Sequence, residues 1–181
     1  EVVRSRILAD SPEDFLAALR RELRQERTDL VVTSGGISKG AYEVVRLALA
    51  AEGVSFLSVA MQPGGPQGIG TVDGVPFLGF PGNPVSALVS FEVFLRPALS
   101  ALTGLPLPRP AVTAVLDAGT ESPEGKLQVR RGLFRDGRVS LVGGPGSHLI
   151  HALAESNALV LIPEGTGHLE AGAEVTVWLL E

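Results

Sequence analysis

Two apolar, strand-length runs in this chain end in glycine-bearing turns and pass directly into helices. This repeated strand–turn–helix unit restricts the chain to an α/β layer fold. The first run, Leu30-Val31-Val32-Thr33, enters Ser34-Gly35-Gly36-Ile37-Ser38-Lys39-Gly40 and then a helix over Tyr42–Ala51, ended by Gly53. The second, Val75–Phe80, enters Pro81-Gly82-Asn83-Pro84 and a helix from Val85 to about Leu102, closed by Gly104. Around them, Val2–Leu8 and Val54–Val59 read as further strands, and Thr71–Val75 as a hairpin on the Asp73-Gly74 turn. Asp10-Ser11-Pro12-Glu13-Asp14 starts another helix: Ser11 caps it, Pro12 suits its first turn, and Phe15, Leu16, Leu19 and Leu23 recur at helical spacing. Alternating strands and helices predict a largely parallel sheet.

The pattern changes at Leu105-Pro106-Leu107-Pro108-Arg109-Pro110, a stiff connector. Beyond it the residues read mainly as strands: Val112–Leu116, a hairpin of Leu127–Phe134 and Val139–Val142 about Asp136-Gly137, Leu159–Ile162 and Val175–Leu180. Only His151–Glu155 reads as helical. The expected organisation is an α/β domain over residues 1–104 and a small β domain over 105–181.

In an open α/β sheet, the loops leaving the carboxyl ends of the strands form the ligand crevice. Glycine lets the backbone approach a ligand, and amides at a following helix start attract anions. Ser34, Ser38, Asn83 and Ser86 add neutral hydrogen-bond donors, so the two loops suit a phosphate-bearing or otherwise polar organic ligand. Each loop alone also reads as a simple tight corner. Neither has the spacing of a P-loop or a dinucleotide fingerprint.

The chain has no cysteine, which excludes disulfides and thiolate chemistry. With a net charge of -5 and no dominant basic stripe, neither nucleic acid nor an anionic membrane is an expected partner. No run reads as long enough to cross a bilayer and no signal-peptide core is present, so the expected location is cytoplasmic. The chain starts without Met, on a strand-like run, and is expected to be a segment of a longer protein. His148 and His151 lack the further ligands that zinc requires. Lys126, Arg130, Arg131, Arg135 and Arg138 read as a solvated hairpin, and Trp178 as partly buried.

Three segments carry a family resemblance. Thr33-Ser34-Gly35-Gly36-Ile37-Ser38-Lys39-Gly40-Ala41-Tyr42-Glu43 resembles the signature T-S-G-G-x-S-x-G-x-x-D/E of the molybdopterin molybdotransferases (MoeA and the gephyrin E domain). Met61-Gln62-Pro63-Gly64-Gly65-Pro66 is similar to that family's M-K-P-G-K-P, and Phe80-Pro81-Gly82-Asn83-Pro84-Val85-Ser86-Ala87 to its L-P-G-N-P-V-S-A. The tail from Gly146 through Asn157 to Val175 resembles the family's C-terminal β domain.

The resemblance implies a three-layer α/β/α molybdopterin-binding domain with a mostly parallel sheet, followed by a small all-β domain. It implies molybdate transfer onto adenylylated molybdopterin, with magnesium-dependent release of AMP. Thr33, Ser34, Gly35, Gly36, Ser38, Gly40, Pro81, Gly82, Asn83, Pro84 and Ser86 would bind the pterin substrate, and Glu43 would be the catalytic and magnesium-holding carboxylate. It further implies a homodimer formed through N-terminal domains that this chain lacks, and an isolated chain that does not turn over. Gln62 and Gly65 replace the family's two lysines, Ala41 replaces a frequently acidic residue, and Lys39 is an unusual charge. These departures open a second reading, a non-catalytic pterin-binding or scaffolding paralogue. A third reading, molybdopterin adenylyltransferase, fits both loops but not the β tail.

Overall fold

The computed structural model describes residues 5, 11–38 and 43–180. The expected strand at Val2–Leu8, Asp10, and the segment Lys39–Tyr42 lie outside them. In chain order the elements are α1 (Pro12–Gln25), β1 (Val31–Ser34), α2 (Val44–Leu49), β2 (Val54–Ser58), β3 (Met61–Gln62), β4 (Pro66–Val72) and β5 (Val75–Phe80). Then follow α3 (Pro84–Ser90), a π-helical segment (Phe91–Leu95), α4 (Arg96–Thr103), β6 (Ala111–Leu116), β7 (Thr120–Glu121), β8 (Leu127–Arg135) and β9 (Arg138–Leu141). The chain ends with α5 (Ile150–Ala154), β10 (Ala158–Ile162), β11 (His168–Leu169) and β12 (Glu174–Leu179). Two compact units result: Glu1–Ser58 with Pro66–Gly82, and Val59–Gly65 with Asn83–Glu181.

The first unit is a four-stranded sheet in the order β1-β5-β4-β2. Ser11 caps α1, its Oγ accepting from the Asp14 amide, and Pro12 occupies the first turn. Phe15 and Leu19, four residues apart, bury with Val45, Leu49, Val54, Val72 and Phe77. Arg20 ties α1 to Glu52 at 2.6 Å and lies 3.5 Å from Asp73.

The expected mostly parallel sheet is not found. Among the described residues of this sheet only β1 and β5 are parallel, while β4 pairs antiparallel with β5 and β2 with β4. The physical reason is the Asp73-Gly74 turn. Both residues adopt positive φ, as a two-residue hairpin turn of matching twist requires, and such a turn can only join antiparallel strands. Nor do the described helices of this unit form layers on both faces. α1 and α2 pack on the face carrying Phe77 and Val72, while Val32, Leu57 and Ile69 of the other face are exposed.

The second unit centres on a closed barrel. The order β10-β12-β6-β9-β8 closes through a β10–β8 pairing, and β3 adds to β8 in parallel. Ala114, Leu116, Val139, Ala158, Val160, Ile162, Val175 and Val177 form its interior. Gly132 lies against that interior: a Cβ there would come within 2.7 Å of Val139 and 2.8 Å of Val160. Asn157 fastens the seam, its Oδ1 accepting from the Phe134 amide and its Nδ2 donating to the Phe134 carbonyl. Outside the barrel, Met61, Val89, Val129 and Leu159 form a second cluster, with Trp178 partly buried beside it.

The helix over Pro84–Thr103 therefore packs in the unit that contains the β segments. It ends at Gly104 in the left-handed conformation, as the sequence predicts. The π-helical turn precedes Pro97, which has no amide to donate to the Val93 carbonyl; the helix shifts register there, with Arg96 N–H reaching Phe91 O. Contrary to the sequence reading, Pro84–Thr103 is long and apolar enough, by length and composition alone, to span a bilayer. It nevertheless carries Glu92, whose side chain is 1% exposed. That carboxylate meets Arg96 Nε at 2.8 Å and accepts from Arg109 Nε and Nη2 at 3.1 and 2.9 Å. Arg109 also donates to the Leu180 carbonyl, so one buried charge joins helix, connector and C-terminal strand.

The short β7–β11 ribbon carries His168 between Glu121 (2.8 Å from Nδ1) and Glu170 (3.2 Å from Nε2). The Glu121 hydrogen bond is the largest influence raising the His168 pKa. A raised folded-state pKa adds stability that is complete below the unfolded value of about 6.5 and is lost as pH rises through the folded value. A ring-proton NMR titration should therefore give a midpoint above about 6.5, falling toward that value in Glu121→Gln. Glu92→Gln leaves two guanidiniums sharing an uncharged partner and should cost roughly 3 kcal/mol in urea unfolding.

Candidate functional site

The parallel pairing of β1 with β5 runs from Val31↔Phe77 to Ser34↔Phe80, so both glycine turns leave the same edge of the sheet. There the backbones touch: a Cβ built on Gly82 would lie 3.1 Å from the Gly35 Cα. The Gly35 amide donates to the Phe80 carbonyl at 2.9 Å, and Ser34 Oγ donates to the Pro81 carbonyl at 3.4 Å. The structure thus brings Ser34, Gly35, Pro81 and Gly82 together. It also commits the Gly35 amide to the neighbouring strand, so that amide is not open to an anion.

The other candidates have distinct placements. Thr33 Oγ1 is buried without a hydrogen-bond partner, and Ser38 is exposed. Gly36 adopts φ +69 and its carbonyl accepts from the Arg46 amide, which seats the start of α2 against the loop. Gly40 lies outside the described residues. Asn83 caps α3, its Oδ1 accepting from the Val85 amide at 3.2 Å, with Pro84 in the first turn. Ser86 is buried at 5% exposure, and its carbonyl accepts from Ser90 Oγ.

Glu43 precedes α2 at its N-cap position and makes no side-chain cap. The described helix starts at Val44, later than Tyr42, and has only six residues. The Glu43 carboxylate, 19% exposed, lies 3.8 Å from Arg46 Nε. Among the described residues, no group of three or more acidic or histidine side chains forms a metal cage. A single carboxylate of this kind fits a magnesium ion that takes its other ligands from substrate phosphate and water, and does not fit an all-protein site.

The segment Met61–Gly65 belongs to the second unit. Met61 and Gln62 pair with Leu127 and Gln128, and Gln62 Oε1 accepts from Gln128 Nε2 at 2.8 Å. Gln62 is thus held as a neutral internal bond.

Sequence reasoning missed Arg130 and Arg131. They are not on a solvated hairpin: their exposures are 6% and 1%. Arg130 donates to Thr120 Oγ1 and the Gly143 carbonyl, Arg131 to the Gly144 carbonyl. Arg130 Nε and Arg131 Nε and Nη1 have no partner. Burial pushes both below the usual arginine range, and the Arg131 charge adds to this at Arg130. The one local signal was two arginines set directly before Gly132, a glycine inside a strand-forming run, which marks close packing. His148 and His151 are exposed.

A glycine-paired loop edge on an α/β sheet and a closed β barrel in the same chain define an α/β protein with a β-barrel second unit. Residues 1–101 match the family described as a probable molybdopterin binding domain, and residues 113–180 match the MoeA C-terminal region, domain IV. The chain belongs to the MoeA family of molybdopterin molybdenumtransferases. It is 51% identical over 160 residues to molybdopterin molybdenumtransferase 2 of Mycobacterium tuberculosis, a match covering 83% of this chain and 40% of that protein. It is 33% identical to the molybdopterin molybdenumtransferase of Haemophilus influenzae, covering 98% of this chain and 45% of that one. The crystal structure of a molybdopterin biosynthesis MoeA protein from Pyrococcus horikosii superposes with a TM-score of 0.78 at 26% identity, covering 96% of this chain and 42% of that chain. This chain therefore spans less than half the length of these relatives.

The glycine contacts can be tested directly. Gly36→Ala places a Cβ 2.8 Å from Val45 Cγ2 at a positive φ, whereas Gly82→Ala meets the Gly35 backbone, its Cα at 3.1 Å and its N at 3.7 Å. Urea unfolding should show Gly36→Ala to be the more damaging, by roughly 2–3 kcal/mol, with Gly82→Ala costing about 1 kcal/mol.

Proposed function

We propose that this chain supplies the molybdopterin-binding part of an enzyme that transfers molybdate onto adenylylated molybdopterin. In that reaction water cleaves the phosphoanhydride bond, giving AMP and the pterin phosphate, and the dithiol sulfurs displace an oxygen of molybdate, which leaves as water with the thiol protons. The observation that carries this reading is the backbone contact of Gly35 with Gly82, which pairs two loops on one sheet edge in a chain of the MoeA family. Thr33, Ser34, Gly35, Gly36, Ser38, Gly40, Pro81 and Gly82 line the proposed pterin site in the first unit. Asn83, Pro84 and Ser86 act indirectly, by fixing the corner that follows. The proposed functional division, residues 1–104 for the pterin and 105–181 as the β domain, is supported by family matches that end and begin near it.

Glu43 is the proposed catalytic carboxylate, holding magnesium or orienting water beside the phosphate. A bound magnesium supplies neutralisation of phosphoryl oxygens. In the second unit, the buried and incompletely bonded Arg131 guanidinium suits a molybdate oxyanion, because its open donors and uncompensated charge both call for one. The reading also includes a cytoplasmic homodimer and an isolated chain without turnover.

One observation favours a non-catalytic paralogue: Gln62, where the family carries lysine, spends its carbonyl oxygen on Gln128. The retained Glu43 and both loops oppose it. The match to domain IV opposes the adenylyltransferase reading.

Glu43→Gln in the full-length protein separates these readings. It keeps shape and removes charge, so magnesium-dependent AMP release from adenylylated molybdopterin should fall about 30- to 1000-fold, for a loss on the order of 2 to 4 kcal/mol. Pterin affinity, titrated separately, should stay unchanged. An active wild type with an equally fast Gln variant would leave Glu43 as a helix-start charge.

A further inference from the structure

The charge cluster on Glu92 borders a cleft of about 120 Å³ in the second unit, lined by Glu92, Arg96, Pro97, Pro108, Arg109 and Trp178. The helix that carries Glu92 and Arg96 winds as a π-helix over Phe91–Leu95, a geometry frequent at functional sites. Glu92 accepts from Arg109 through both of its oxygens, so this carboxylate is already engaged. Arg96 Nε lies 2.8 Å from the same carboxylate without aligning for a hydrogen bond. Its Nη1 donates to the Leu107 carbonyl, and its guanidinium carbon sits 5.5 Å from the centroid of the Phe91 ring. Arg96 is therefore held from three sides, and its Nη2 has no partner among the described residues. One carboxylate against two guanidiniums leaves one positive charge in excess.

An anion meets that excess, and a guanidinium fork favours a planar carboxylate, which accepts parallel N–H bonds. Pro97, Pro108 and Trp178 add apolar walls that an inorganic oxyanion would leave uncovered. Volume sets the size. An apolar cavity of about 150 Å³ takes the six carbons of benzene, so this cleft admits about five non-hydrogen atoms. We propose that the cleft binds a short-chain aliphatic monocarboxylate, its carboxylate on the Arg96 guanidinium and its alkyl end against Trp178 and the two prolines. The cleft shares no residue with the glycine loops, so the site is independent of the enzymatic reading above.

Trp178 is the chain's only tryptophan, so its indole N–H gives a single NMR cross-peak that reports on this cleft alone. The test titrates propionate into the full chain at constant ionic strength, with propionamide and inorganic phosphate as the neutral and the purely inorganic comparisons. Propionate should move the indole peak saturably, and neither comparison should do so at the same concentrations. Arg96→Met leaves the Glu92–Arg109 pair in place and should raise the propionate needed for half-saturation about tenfold or more. Arg96→Lys keeps the charge without the fork and should need several-fold more propionate, which decides the matter if the Met variant fails to fold. An indole peak indifferent to propionate, an equal response to propionamide or to phosphate, or an unchanged half-saturation in either variant would overturn the proposal.

Discussion

The closure of β8 against β10 is the constraint on which the second unit depends. A sheet of five strands in the order β10-β12-β6-β9-β8 would otherwise expose two edges, and pairing them leaves none. Closure puts one face of β8 inside the barrel. The cluster of Met61, Val89, Val129 and Leu159 covers the other, so a nine-residue strand carrying three arginines is buried along most of its length. At Gly132 a Cβ would press on Val139 at 2.7 Å and Val160 at 2.8 Å, so the side chains of both neighbouring strands fill the space a larger residue would need.

Burial on both faces explains the electrostatics of this unit. Glu92 accepts a bidentate pair from Arg109 and lies 2.8 Å from Arg96 Nε, so one carboxylate serves two cations. Arg130 and Arg131 have no such partner and rest on neutral carbonyls and a hydroxyl. The same unit therefore contains a paired charge cluster, which fastens the connector and the C-terminal segment to the helix, and two buried arginines held only by neutral acceptors.

In the first unit the corresponding constraint is smaller and more local. Parallel alignment of β1 with β5 sends two turns off one edge, and absence of side chains at Gly35 and Gly82 lets those turns meet backbone to backbone. Gly36 then fixes where the short helix α2 begins, and with it the position of Glu43. The two turns are tied to each other by their own groups, the Gly35 amide to the Phe80 carbonyl and the Ser34 hydroxyl to the Pro81 carbonyl.

Local chemistry was legible in the sequence. Ser11 and Pro12 start α1, Gly104 ends the long helix, and the Asp-Gly turns at 73–74 and 136–137 make hairpins, because each effect acts over a few residues and depends on backbone preference alone. The motif glycines were legible for the same reason. The hairpin at Asp73-Gly74 already made β4 antiparallel to β5, but tertiary structure alone decided that β2 joins β4 antiparallel and that β1 lies parallel beside β5. It alone recruited Met61–Gln62 to β8, a pairing of two residues with no periodicity to read. Above all it decided the fate of Arg130 and Arg131. Alternation along a strand says which residues share a face, but whether a face meets water depends on what closes over it, and that partner lies some thirty residues further along the chain.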